Sequence, residues 1–215
     1  MKKLVIIGAG GFAREVAWLV ERINAQAYQW DLLGFVDDNP AMWGKTVNGY
    51  KVLCGTEDLA DYCDIYAVCA IGSAKARKKV IENIKRKNPA IKFATLVDPS
   101  VIMSDLVDMG EGCIICANTV VTVNVKLGNH VHINLDCTVG HDAELSDYVT
   151  VYPSVNISGM TYYGECVELG TGAHIIQGKK VGKESIIGAG AIVIKDIPES
   201  CTAVGNPAKP IKLNK

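Results

Sequence analysis

The stretch VTVNVKLGNHVHINLDCTVGHDAEL, residues 121–145, has an apolar residue at every sixth position: Val121, Leu127, Ile133, Val139 and Leu145. Four residues after the first four of these stand Val125, Val131, Cys137 and Ala143, all small or branched. Followed outward, the same register runs unbroken through seventeen apolar anchors from Val97 to Val193, and the second series continues from Val101 to Ile197. Lys179 is the one member of either series that resists burial. Gly110, Gly128, Asn134, Gly140, Gly164, Gly170, Gly182 and Gly188 directly follow anchors, and such residues suit the tight corners between short strands. An antiparallel domain of fortuitously even spacing would not hold register this long, so the period predicts a solenoid of stacked coils. Three hexads would make one triangular coil, and seventeen give between five and six coils. A single coil has no core of its own, so the anchors must be buried between neighbouring coils.

The chain has 215 residues and the repeat begins only at Val97, so two domains are expected, 1–96 and 97–215. A net charge of −1 gives no basic footprint for nucleic acid. The run Lys75, Arg77, Lys78, Lys79, Lys85, Arg86 and Lys87 reads as the solvated face of a helix. No apolar run is long enough to span a bilayer and the first seven residues read as a strand, so a cytoplasmic protein with no membrane insertion is expected. Of the eight cysteines, Cys113 and Cys137 fall in the inward series, where a thiol acts as a small hydrophobe. Cys113 and Cys116 form a C-x-x-C without a second Cys or His pair, so no metal is expected.

Ahead of the repeat, Lys3 to Ile7 reads as a strand, Gly8-Ala9-Gly10-Gly11 as a turn, and Phe12 to Asn24 as a helix with Val16, Leu19, Val20 and Ile23 on one face. Glycines there let backbone approach a phosphate, and the helix N-terminus favours its charge. Further strands are expected at Leu32 to Val36, ending in Asp37-Asp38, at Ile65 to Ile71, ending in Gly72-Ser73, and at Ile91 to Leu96; a second helix spans Lys75 to Lys87. Carboxylates at the carboxyl end of such a strand can bond a ribose or base. Gly8-x-Gly10-x-x-Ala13 with Asp37 downstream invites a dinucleotide reading, but about ninety-five residues hold one βαβ half and thus one nucleotide. A glycine turn that binds nothing remains the alternative.

Ile187-Gly188-Ala189-Gly190-Ala191-Ile192-Val193-Ile194-Lys195-Asp196-Ile197-Pro198, followed by Ala203-Val204-Gly205-Asn206-Pro207-Ala208-Lys209, resembles the hexapeptide-repeat acyltransferases. Gly8 to Val16, Phe35-Val36-Asp37-Asp38 and Ala70-Ile71-Gly72-Ser73 with Arg77 to Val80 resemble the bacterial sugar acyltransferases within that group, which include sialic-acid O-acetyltransferases and UDP-4-amino-sugar N-acetyltransferases. The resemblance implies an α/β Rossmann-like domain before an all-β left-handed parallel β-helix. It also implies acetyl-CoA as co-substrate, a sugar or nucleotide-sugar acceptor in surface glycan synthesis, and a homotrimer with active sites between subunits. The acceptor site would comprise Gly8, Gly10, Gly11, Phe12, Asp37, Asp38, Gly72, Ser73 and Asn134. The acetyl-CoA site would comprise Thr150, Gly159, Gly172, His174, Lys195 and Lys209.

Acetyl transfer from a thioester needs a neutral nucleophile and a base to take its proton. Of the four histidines, His141 stands two residues past an anchor, at an outward corner, and Asp142 beside it can fix its tautomer. The resembling enzymes carry a His and an acidic residue here, with the His as base. His130 and His132 read as surface or interface groups. No Cys stands beside a His or acid in the repeat, which disfavours an acetyl-cysteine route and favours a ternary complex. A scaffold or nucleotide-binding protein without catalysis is the competing class.

Overall fold

The computed structural model describes residues 1–62 and 64–213. They form two compact units, one of residues 1–72 with 76–99, the other of residues 73–75 with those from Ser100 onward.

The first unit contains β1 (Lys2–Ile7), α1 (Gly11–Gln26), β2 (Trp30–Val36), β3 (Thr46–Val47), β4 (Tyr50–Cys54), β5 (Ile65–Cys69) and β6 (Lys92–Phe93), with α2 (Ala74–Lys87) between the last two strands. The sheet order is β3-β4-β2-β1-β5-β6, parallel except for the β3–β4 hairpin. Leu4 to Ile7 are at most 1% exposed, as a strand at the centre of a parallel sheet with both faces covered requires. β3 and β4 lie outside the sequence-based expectation. Their signal is Asn48-Gly49, whose φ values of 45° and 86° are those of the two-residue turn favoured in hairpins. Strand order reverses at β1, with β2 on one side and β5 on the other. Ligands in such sheets bind outside the carboxyl ends of the strands flanking this reversal, where Gly8 follows β1 and Gly72 follows β5.

Arg77 corrects the reading of the lysine-rich run as a uniformly solvated face. It shares a helical face with Ile81 and Ile84 and is fully buried, its guanidinium donating to the carbonyls of Ile71 and Gly72 at 2.7 and 3.1 Å. It therefore pins the turn after β5 from beneath.

In the second unit two-residue strands recur every six residues and stack with the strand eighteen residues later into three parallel sheets, a triangular parallel β-helix. All anchors from Ile115 to Val193 are buried, whereas Val97, Met103 and Met109 at the first turns are half-buried. Each buried Val, Leu or Ile contributes about 1.5–3 kcal/mol over exposure. Lys179 stays half-exposed, while its series neighbours Ala173 and Ser185 are buried.

The corners are built differently from expectation. The left-handed residue is not the one after the anchor but the third: from Gly112 to Gly190 every sixth residue has φ between 56° and 71°. Ten of these fourteen positions are not glycine, among them Asn124, His130 and Asp142. A hydrogen bond to the preceding coil offsets that strain, as when the N–H of Asp142 donates to Val123 O (3.1 Å) or that of Met160 to His141 O (2.8 Å). The glycines directly after anchors answer a close approach instead. A Cβ on Gly128, Gly140, Gly164 or Gly170 would lie 2.5–2.7 Å from the backbone nitrogen nineteen residues on, in the next coil.

His130 and His132 are not surface groups: they are 0% and 2% exposed, and the His130 ring stacks on Tyr148 one coil later at 5.3 Å. Repeat position alone does not distinguish covered corners from open ones.

Candidate active site

His141 and Asp142 occupy the corner between the strands Thr138–Val139 and Glu144–Leu145. Val139 and Leu145 are buried on either side, so the corner has its ends fixed in the core while both side chains remain 48% exposed. His141 Nδ1 lies 2.7 Å from Asp142 Oδ2. The other carboxylate oxygen, Oδ1, accepts from Asn124 Nδ2 at 3.2 Å. Hydrogen bonds from His141 and, second, from Asn124 hold the Asp142 carboxyl below its ordinary range, so it is ionised and can only accept. Nδ1 then carries the ring proton, and Nε2 is left with its lone pair as the basic nitrogen. On the other side the ring lies against Gly159 in the next coil, where a Cβ would come within 2.4 Å of Nε2. A groove of about 380 Å³ opens beside the pair, lined by Asp142, Glu144, Met160, Thr161, Tyr162 and Lys180.

The remaining residues proposed from sequence are scattered over this unit. Asn134 lies at a different corner, its Oδ1 accepting from Leu135 N at 2.8 Å, so the side chain caps its own turn. Thr150 is 3% exposed on a strand between His132 and Glu168, a covered position. His174 is exposed on the strand His174–Ile175, between Asn156 and Ile192. Gly172, with φ 67°, presents bare backbone: a Cβ there would meet nothing within 4 Å, and the same holds for Gly190 one coil on. Lys195 and Lys209 are exposed, the latter beginning the terminal strand Lys209–Leu213, which pairs antiparallel with Cys201–Val204. The inward cysteines are poor nucleophiles. Burial pushes the Cys137 thiol up to about 11, and Cys113 Sγ faces the Gly128 carbonyl at 3.2 Å.

In the first unit the turn after β1 is tied to the end of β2. Asp37 Oδ2 accepts from Ala9 N (2.9 Å) and Oδ1 from Asn39 N (2.9 Å), so this carboxylate shapes the glycine turn. Asp38 Oδ1 accepts from both the N–H and the hydroxyl of Thr56, at 2.7 and 2.8 Å. Gly8 takes φ 101°, a conformation that strains other residues, while Gly10 and Gly11 are exposed at the start of α1. Gly10 provides no side-chain cap and the first turn of α1 has no acid, which leaves the dipole of a sixteen-residue helix available to an anion. Phe12 is half-exposed in that first turn, and Ser73 is exposed just before α2. Trp43, which sequence reasoning missed, lies at the same end of the sheet: 46% exposed, its indole N–H donates to Asp37 O at 2.8 Å. A larger cavity, about 720 Å³, opens at the opposite, amino-terminal ends of β1, β5 and β6, away from the glycine turn.

Residues 3–84 match the family described as PglD N-terminal domain. Over 96% of this chain and 95% of that protein, the sequence is 34% identical to GDP-perosamine N-acetyltransferase of Escherichia coli O157:H7. The acetyltransferase domain of PglB from Neisseria gonorrhoeae FA1090, solved in complex with acetyl coenzyme A, superposes with a TM-score of 0.88 at 33% identity, covering 98% of this chain and 99% of that one. A variant of perosamine N-acetyltransferase from Caulobacter crescentus, solved with CoA and GDP-perosamine, gives 0.87 at 28% identity, covering 97% and 96%. Among the described residues no helix is long and apolar enough to cross a membrane. A Rossmann-like unit, a left-handed parallel β-helix and a relative matched almost end to end agree: the chain belongs to the bacterial hexapeptide-repeat sugar acyltransferases and is an acetyltransferase.

Proposed function

We propose that the protein transfers the acetyl group of acetyl-CoA to the amine of a nucleotide-linked amino sugar, in the cytoplasm, as a step toward a surface glycan. The observation that carries this reading is the His141–Asp142 pair, with Nδ1 turned to a carboxylate and Nε2 left as the base. In the transfer the neutral sugar amine attacks the thioester carbonyl while Nε2 takes its proton. The C–N bond forms, the C–S bond breaks, and the imidazolium returns the proton to the departing CoA thiolate. Asp142 stabilises the imidazolium between these events. The acceptor's phosphates would lie at the N-terminus of α1, with its base and ribose toward Asp37, Asp38 and Trp43. Gly159, Gly172, His174, Lys195 and Lys209 are proposed for acetyl-CoA, whereas Thr150, covered on its strand, is not. Support for a homotrimer comes from apolar side chains on the outside of the coils, Met160, Tyr162, Ile176, Ile186 and Ile194, each 39–52% exposed.

Incubating the protein with acetyl-CoA and a panel of GDP-, UDP-, dTDP- and CMP-linked amino sugars tests this directly. One of them is expected to yield an acetamido product and free CoA; hydroxyl-only sugars should not react. The absence of product from every amino sugar, together with no thermal shift at millimolar acetyl-CoA, would return the protein to the scaffold class.

The first unit gives a second test. Asp37→Ala should weaken the nucleotide-sugar by about 1.5–3 kcal/mol, the size of a hydrogen bond to a charged group, by releasing the glycine turn. Calorimetric titration of both substrates measures it. Acetyl-CoA affinity should not change, and an unaltered nucleotide-sugar affinity would remove Asp37 from the site.

A further inference from the structure

The base and its carboxylate account for two of the three side chains joined at this corner. Asn124 lies eighteen residues before Asp142, at the same corner position one coil earlier, and both residues are left-handed with φ 57°. Parallel stacking places the two side chains one above the other. Asn124 Nδ2 donates to Asp142 Oδ1 at 3.2 Å, while Asp142 Oδ2 receives His141 Nδ1 at 2.7 Å. The carboxylate is thus gripped at both oxygens, which fixes its plane as well as its position.

We propose that Asn124 is a positioning residue for the acetyl transfer: it holds the Asp142 carboxylate in the orientation that keeps the proton of His141 on Nδ1 and Nε2 free to act. This inference rests on the assignment of His141 as the base. Asp142 is half-exposed, and without Asn124 its carboxylate could rotate toward water. A free imidazole favours the Nε2–H tautomer, in which Nε2 is a donor and cannot take a proton. Asn124 acts on the reaction only through this choice of tautomer. The preceding column member, Leu106, cannot make such a contact, so the chain of polar side chains begins at Asn124. An ordinary reason also exists for an asparagine here, since it tolerates the left-handed corner well. The test must therefore separate the amide from the backbone conformation.

Asn124→Gly does so, because glycine keeps the corner conformation and removes only the donor. Thermal stability should stay close to that of the unaltered protein. The kcat should fall roughly three- to tenfold, the scale of one net hydrogen bond, with KM for both substrates unchanged. In an Asp142→Asn background the same change should have no further effect on kcat, since the carboxylate it positions is gone. Nitrogen-15 spectra of the His141 ring supply a readout that needs no turnover. The unaltered protein should show protonated Nδ1 and bare Nε2, and Asn124→Gly a mixture of tautomers. Asn124→Gln, whose longer amide is not placed to repeat the contact from a glycine-like corner, should resemble the glycine variant. An unchanged tautomer in Asn124→Gly, or an undiminished loss of kcat in the Asp142→Asn background, would overturn the proposal. If instead His141→Ala retained full activity, the assignment of the base would fail while the tautomer result still reported on Asn124.

Discussion

His141→Ala will lower kcat by about 10²–10⁴, the usual contribution of a positioned general base, with little change in the affinity of either substrate. The reasons are geometric. The imidazole is half-exposed, and the coil keeps its buried anchors Val139 and Leu145 when the ring is removed. What disappears is the one nitrogen at this corner that can receive the amine proton. In the unaltered protein the hydrogen bonds from His141 and Asn124 keep the Asp142 carboxylate ionised to a lower pH than usual, so the contribution of Asp142 to kcat/KM should persist until the pH falls below the ordinary carboxylate range. Steady-state kinetics across pH, with calorimetric binding of each substrate, measure both effects. A His141→Ala enzyme with near-normal kcat and an unchanged profile would place the base elsewhere, and His174, exposed on its strand, would be examined next.

Gly159→Ala should lower kcat about 10²-fold without unfolding the protein. The added Cβ would fall 2.4 Å from Nε2, 2.6 Å from Cε1 and 2.7 Å from Cδ2 of His141. Methyl and ring cannot share that space, and the mobile partner is the half-exposed ring rather than the coil backbone. Moving it to ordinary contact displaces Nε2 by about 1 Å, and misplacement on that scale can reduce a rate 10²-fold. The distribution between kcat and KM is informative, because Gly159 is also proposed to contact acetyl-CoA. Loss in kcat alone identifies Gly159 as the floor beneath the base; a rise in KM for acetyl-CoA adds the second role. Unchanged values of both would mean that the ring accommodates the methyl without consequence.

The solenoid was legible in the sequence because burial in a stacked coil repeats with the chain. Val121, Leu127, Ile133, Val139 and Leu145 each return to the interior after six residues, and no other arrangement buries that pattern. His141 and Asp142 were legible for a related reason: adjacency along the chain, at a position the period places outside, is already adjacency in space. The glycine turn and Asp37 could also be read, since strand, turn and helix are local. The tertiary structure alone decided contacts made eighteen or nineteen residues apart, across the stacking direction. There Asn124 meets Asp142 and Gly159 lies against His141. The same stacking explains why a glycine follows Val139, where the next coil's backbone leaves no room for a side chain. Burial of His130, His132 and Arg77 likewise depends on what covers each position. A periodic sequence specifies which residues point inward, because that is a property of each coil; which outward residues meet depends on how the coils are stacked, and no local preference of the chain encodes it.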